Sequence, residues 1–224
     1  MNKLTKVLIA LIIVANPSFG QIANLPDAGG APLKAKKGEA MEGKIYLHEE
    51  WNKAMIEWKD GQTSENVFAK YNTLSGNLEV QKENGVWEYS PKSIDRFEYA
   101  VNFFPEVVIM KFEPSEKYFA GSKGFVKILF KDKIIVLERI DVEVVSAAAS
   151  YGSSGSTTRI VQDSKSFIML PDSKNLISFR RTNSSLSKSL EKPELKEYLK
   201  SKKLDVSNDK DLHLALGFLK TFYN

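Results

Sequence analysis

The 224-residue chain contains no cysteine. That excludes a disulfide framework, a thiol nucleophile and a cysteine-ligated metal. It also excludes lipid attachment at a leader cysteine. Histidine is scarce, with only His48 and His213. Long apolar runs are scarce as well, and none after Ala15 approaches the length of a membrane span. Charge of one sign is missing too. The chain has 32 basic and 28 acidic residues, a formal charge of +4. Removing residues 1–20, with Lys3 and Lys6 and no acid, lowers it to +2. Binding a nucleic-acid backbone needs clustered positive charge, so a balance this even argues for no nucleic acid partner. No period of 20–50 residues marks a solenoid or propeller.

What is present begins at the start of the chain. Lys3 and Lys6 precede the apolar run Val7 to Ala15, which Asn16-Pro17 breaks before Ser18-Phe19-Gly20. This order is that of a secretory signal peptide, and the apolar run is too short for a permanent anchor. Residues 1–20 are therefore expected to be a leader cut between Gly20 and Gln21. The expected location is periplasmic or secreted, with no transmembrane span in the mature chain.

Residues 21–42, with Pro26, Gly29, Gly30, Pro32 and Gly38, have the composition of a flexible linker. From Lys44 the pattern turns to period two. Ile45 and Leu47 alternate with Tyr46 and His48; Met55 to Trp58 leads to an Asp60-Gly61 turn; Leu78-Glu79-Val80 leads to Asn84-Gly85, a strong hairpin signal. Arg96 to Val101 and Val107 to Phe112 read as two more strands. The clearest hairpin runs from Phe125 through Lys131-Asp132-Lys133 to Val145. Residues 146–157 are small and polar, a loop composition, and strands resume at Arg159, Ser166 and Leu176. The last forty residues switch to a helical period: Leu186 and Leu190, then Pro193 opening a helix, then Ser207-Asn208 capping one that carries Leu212, Leu216, Leu219 and Tyr223. The fold class expected is α+β, mainly an antiparallel β meander of nine to twelve strands forming a roll or open barrel. A β-rich domain over 43–181 would carry a small C-terminal helical segment over 182–224.

Catalytic constellations are not found. His48-Glu49-Glu50 places neighbours on opposite faces of a strand, so they cannot converge on one ion. His213 lies one residue off a helical apolar stripe. Gly152-Ser153-Ser154-Gly155-Ser156 departs from G-x-S-x-G at its last position. Asp141 and Glu143 share one face of a strand, where charges keep an edge soluble. No catalytic residue, metal site or cofactor is expected. Aromatics are the more suggestive feature: Trp51, Trp58, Trp87 and Tyr89 gather in one half of the β region, near Phe97, Tyr99, Phe103 and Phe104. The first four are candidate contacts for a ligand or partner; the competing reading is that they fill a β core.

Several short motifs recur in order along the chain. They are Ser18-Phe19-Gly20 before Gln21, Lys70-Tyr71-Asn72, Asn77-Leu78-Glu79-Val80, Ser90-Pro91 through Phe97, Gly124-Phe125 with the hairpin to Lys133, Leu195 to Leu199, Lys203-Leu204-Asp205, and Phe222-Tyr223-Asn224. In this order the chain resembles a family of exported proteins of unknown function from Bacteroidota. The resemblance covers most of the mature chain, leaves out the loop around 146–157, and implies an exported address and this domain layout. It transfers no site.

Two functions remain open. One is a non-enzymatic cell-envelope module that binds a protein, peptide or glycan; it requires an exposed apolar or aromatic patch, or an open strand edge. The other is a hydrolase of envelope polymers with an Asp/Glu acid–base pair, which requires two carboxylates across a cleft.

Overall fold

Alternation of apolar and polar side chains builds the sheet strand by strand. In β3 (Asn52–Trp58), Ala54, Ile56 and Trp58 point inward while Lys53 and Glu57 point out. The turn into β4 (Thr63–Asn72) is set by Asp60, whose carboxylate accepts the Gln62 N–H at 3.0 Å, and by Gly61 at φ 85°. The turn out of β4 is set by Asn72, whose side-chain oxygen accepts the N–H groups of Leu74 and Ser75. Glu83-Asn84 is the two-residue loop between β5 (Asn77–Lys82) and β6 (Gly85–Tyr89), with Gly85 opposite Lys82.

The computed structural model describes residues 29–32, 41–103, 106–147, 157–171, 173 and 175–223. The expected leader, most of the expected linker and most of the serine-rich loop lie outside the described residues. The remaining strands are β1 (Ala31–Pro32), β2 (Met41–Glu42), β7 (Ile94–Phe103), β8 (Glu106–Pro114), β9 (Phe125–Lys131), β10 (Ile135–Ala147), β11 (Thr157–Met169) and β12 (Leu176–Phe179). The helices are α1 (Asn183–Leu190), α2 (Pro193–Ser201) and α3 (Asp209–Lys220). The fold is α+β, an open and mainly antiparallel sheet with three short C-terminal helices. Residues 44–48 are not a strand: they cross the end of β4 through a single Tyr46–Asn72 bridge, held by Leu47 N–H to Tyr71 O and Thr73 N–H to Ile45 O.

The order across the sheet is β1-β6-β5-β4-β3-β7-β8-β9-β10-β11-β12, with β2 parallel to β11. From β3 to β12 it departs from a simple meander at one point. β6 ends three strands away from β3, yet β7 pairs with β3 after a connection of only residues 90–93. So short a link curls β3 to β7 into a roll, and the Lys59 N–H bond to Ser93 O fastens the link to the end of β3.

Inside the roll lies the first core. Trp58 packs edge-on to Tyr89 at 4.8 Å, and Phe97 stacks on Phe112 at 4.7 Å with Phe125 and Tyr71 around them. Such pairs add about 1 kcal/mol each beyond burial. The second core lies between β9 to β12 and the helices: Leu129, Val136, Ile168 and Phe179 meet Leu186, Leu195, Leu199, Leu212 and Leu216. Thr182 caps α1, Pro193 opens α2, and Asn208 caps α3 by accepting the Asp211 N–H at 2.8 Å.

Candidate functional site

The two cores meet where β8 and β9 separate. These strands pair only from Lys111–Ile128 to Pro114–Phe125. Beyond Lys111, β8 continues to Glu106 beside β7, while β9 continues to Lys131 beside β10. A bulge explains the parting. Leu137 faces Ile128 and Val136 faces Phe130, so Leu129 is an extra residue in β9. An extra residue bends and twists its strand, here away from β8. The result is a slot of about 570 Å³. Its walls are Val108 to Phe112 on one side and Ile128 to Lys131 on the other, with Asp209 and His213 of α3 at its floor. No described strand pairs with Glu106 to Met110 on the side away from β7.

Ion pairs frame the slot. Glu113 is buried at its closed end and accepts from Lys131 Nζ at 2.6 Å and from the Tyr118 hydroxyl at 2.9 Å, with Lys117 Nζ at 3.5 Å. Burial pushes the Glu113 carboxyl up, but these donors outweigh it and hold the group below the usual range. Glu98 pairs with Lys111 at 3.1 Å, and Arg96 with Glu57. At the floor, Lys127 lies 3.6 Å from Asp209, which also meets Arg181 at 2.7 Å. His213 Nδ1–H donates to Asp209 O at 2.7 Å, and the ring sits edge-on to Phe130.

The outer face of the roll is apolar next to this edge. Register places Phe68, Lys53, Ala100 and Ile109 in one row across β4, β3, β7 and β8. Phe68 is 50% exposed, Ile109 54% and Val107 61%. In β8 the inward residues Met110 and Phe112 are buried, so this strand is apolar on both faces but covered on one.

The four aromatic candidates separate. Trp58 and Tyr89 come together, but inside the first core at 1% exposure each, with the Trp58 indole N–H donating to Ser64 Oγ. Trp87 is half-buried, packs against that core and carries Lys82 over its ring at 4.2 Å. Trp51 lies apart, half-buried under Lys70, whose ammonium also covers Tyr46. Burial and the neighbouring Glu79 push the Tyr46 hydroxyl up to about 12. Sequence reasoning missed Val107 and Ile109. The signal was available: an apolar run with no alternation from Val107 to Met110 calls for cover on both faces.

Among the described residues no group of three or more His, Asp or Glu side chains is placed to hold a metal. His48 is half-buried and edge-on to Tyr99 at 5.9 Å; burial, then Lys127 and Lys44, hold its ring below the usual histidine range. Asp141 is held by Arg139 at 2.7 Å and Lys165 at 2.9 Å. Asp95, Glu113, Asp132, Asp141, Asp205 and Asp209 are all displaced downward in titration. A general acid requires the opposite displacement. No described helix is long and apolar enough to cross a membrane. No family model matches the chain, and neither a curated protein nor a solved structure matches it.

Proposed function

We propose that this protein is an exported cell-envelope module, periplasmic or secreted, that binds another polypeptide without catalysing a reaction. The observation that carries the reading is β8, a strand apolar on both faces whose outer face is left bare at Val107 and Ile109. Val107 and Ile109 lie bare beside an open strand edge, with Phe68 exposed in the same row beyond Ala100 and Lys53, and exposed apolar groups gathered in this way mark interaction sites. Aliphatic groups dominate that surface, and Trp58 and Tyr89 are spent on the core, which supports a polypeptide over a glycan. A hydrolase of envelope polymers fits less well, because the displaced carboxylates are held ionised by lysine, arginine and backbone donors.

The test uses the tagged mature protein and a variant carrying Phe68→Thr, Val107→Thr and Ile109→Thr. All three side chains point to solvent, so the variant should fold as the parent does. Capture from envelope extracts should recover a protein with the parent and lose at least nine-tenths of it with the variant. Equal recovery by both would overturn the reading.

A further inference from the structure

The slot between β8 and β9 differs in kind from the bare outer face, because one of its walls is backbone. Alternate residues of Glu106 to Met110 direct N–H and C=O groups away from β7, where no described strand receives them. At about 3.3 Å per residue this edge is roughly 13 Å long. Open edges of this kind are usually blocked in natural proteins by charge, proline or a covering loop. Here the edge sequence is Glu-Val-Val-Ile-Met, with one charge at its far end and no proline.

The facing wall gives the chemistry of an occupant. Val108 and Met110 on β8 with Leu129 and Phe130 on β9 make an apolar inner side, and the His213 ring of α3 stands edge-on to Phe130. The outer side is bounded by the Glu98–Lys111 and Glu113–Lys131 pairs, whose charges are already matched. A ligand that satisfies this slot needs backbone-like donors and acceptors at strand spacing. It also needs an apolar side chain turned inward and polar ones turned outward. Neither a glycan nor a lipid offers amide donors and carbonyl acceptors repeating at strand spacing. Two further features carry less. The exposed Val144, Val145 and Val161 at the end of the β10–β11 hairpin have nothing facing them among the described residues that indicates an occupant. Arg139, sandwiched near Phe119 and Phe167, is already neutralised by Asp141.

We infer that the slot binds an extended polypeptide segment by strand addition to β8 over Glu106 to Met110, with alternating apolar and polar side chains and an apolar one seated against Met110, Leu129 and Phe130. This rests on the binding reading above and specifies its ligand. The split in the sheet is what makes it available: the bulge at Leu129 holds β9 off the edge that it would otherwise cover.

The probe is a phage-displayed library of random linear dodecapeptides, selected on the mature protein. Enriched sequences should show apolar–polar alternation. The best one, made synthetically, should slow amide exchange of Glu106 to Met110 at least tenfold. N-methylating its alternate residues should weaken binding at least tenfold in one register and leave it unchanged in the other, because only every second N–H of an added strand faces β8. Three results would overturn the assignment: no enriched peptide, protection elsewhere but not at Glu106 to Met110, or equal tolerance of N-methylation in both registers. If any of these occurs while the outer-face variant still loses its captured partner, strand addition is wrong and the binding reading stands. If capture is unchanged by that variant, the outer-face reading fails on its own.

Discussion

Tyr71 is the residue whose loss the structure allows to be reckoned most directly. It sits at 3% exposure on β4, and its hydroxyl bridges to the start of β9. The oxygen accepts the Phe125 N–H at 2.9 Å and donates to the Phe125 carbonyl at 3.3 Å. Pro114 stands opposite Phe125 and has no N–H to offer that carbonyl. The approach is close enough to require Gly124: a Cβ there would lie 2.6 Å from the hydroxyl, and its φ is 78°. In Tyr71→Phe the ring stays and both bonds go. Each net bond contributes about 1 kcal/mol, and a buried N–H left without a partner costs about 1–3 kcal/mol. The longer bond is the weaker, so the expected loss is about 2 kcal/mol. For a chain of this size that is roughly 4–8 °C in Tm. Urea unfolding followed by far-UV circular dichroism should show a lower midpoint and an unchanged slope. The same variant should alter the alkaline limb. Burial pushes the Tyr71 hydroxyl up to about 12, against the Phe125 bond that pulls it down. A raised pKa contributes stability that is full below the unfolded value near 10 and is lost as pH rises through 12. Tyr71→Phe should flatten that loss. A destabilisation under about 0.5 kcal/mol would refute the reasoning, since it would mean that the bridge adds nothing to the roll.

Two further outcomes can be measured on the same footing. His48 is held below its ordinary value by burial and by Lys127 and Lys44, so its contribution is full above pH 6.5 and is lost as pH falls below it; His48→Gln should make the midpoint less sensitive to pH between 6.5 and 5, and an unchanged slope would show that another group titrates there. Leu216→Ala empties the centre of the second core, where Leu216 has no exposure, and should cost about 2–5 kcal/mol in urea unfolding; a cost under about 1 kcal/mol would mean that α3 is not packed as described.

Local signals carried much of this fold into the sequence. Gly85 ends the hairpin turn because a glycine takes the positive φ needed there, 126° opposite Lys82, with Glu83-Asn84 as the loop. Pro193 begins α2 and Asn208 caps α3 for reasons confined to one turn of chain. What could not be read is set by contacts between distant segments. Nothing near Ile94 says that β7 returns to β3, because the curl depends on the whole roll closing over Trp58 and Tyr89. The slot depends on one extra residue, Leu129, in a strand whose composition looks regular. Inward placement of Trp58 was within reach, since it shares parity with Ile56. Trp51 has the opposite parity and lies apart under Lys70. Residues 44–48 alternate like a strand but cross the end of β4, because one bridge and two backbone bonds hold them there.

The two cores also divide the chromophores. All three tryptophans, Trp51, Trp58 and Trp87, belong to the roll, whereas α1, α2 and α3 all lie over the second core. Indole emission therefore reports on one lobe and the helical dichroism band on the other, with no label added. Melting curves from the two signals would superimpose if the shared sheet makes the lobes unfold together. They would separate if the seam at Lys111–Ile128 lets one lobe open first, which makes the parting of β8 and β9 visible to an ordinary spectrometer.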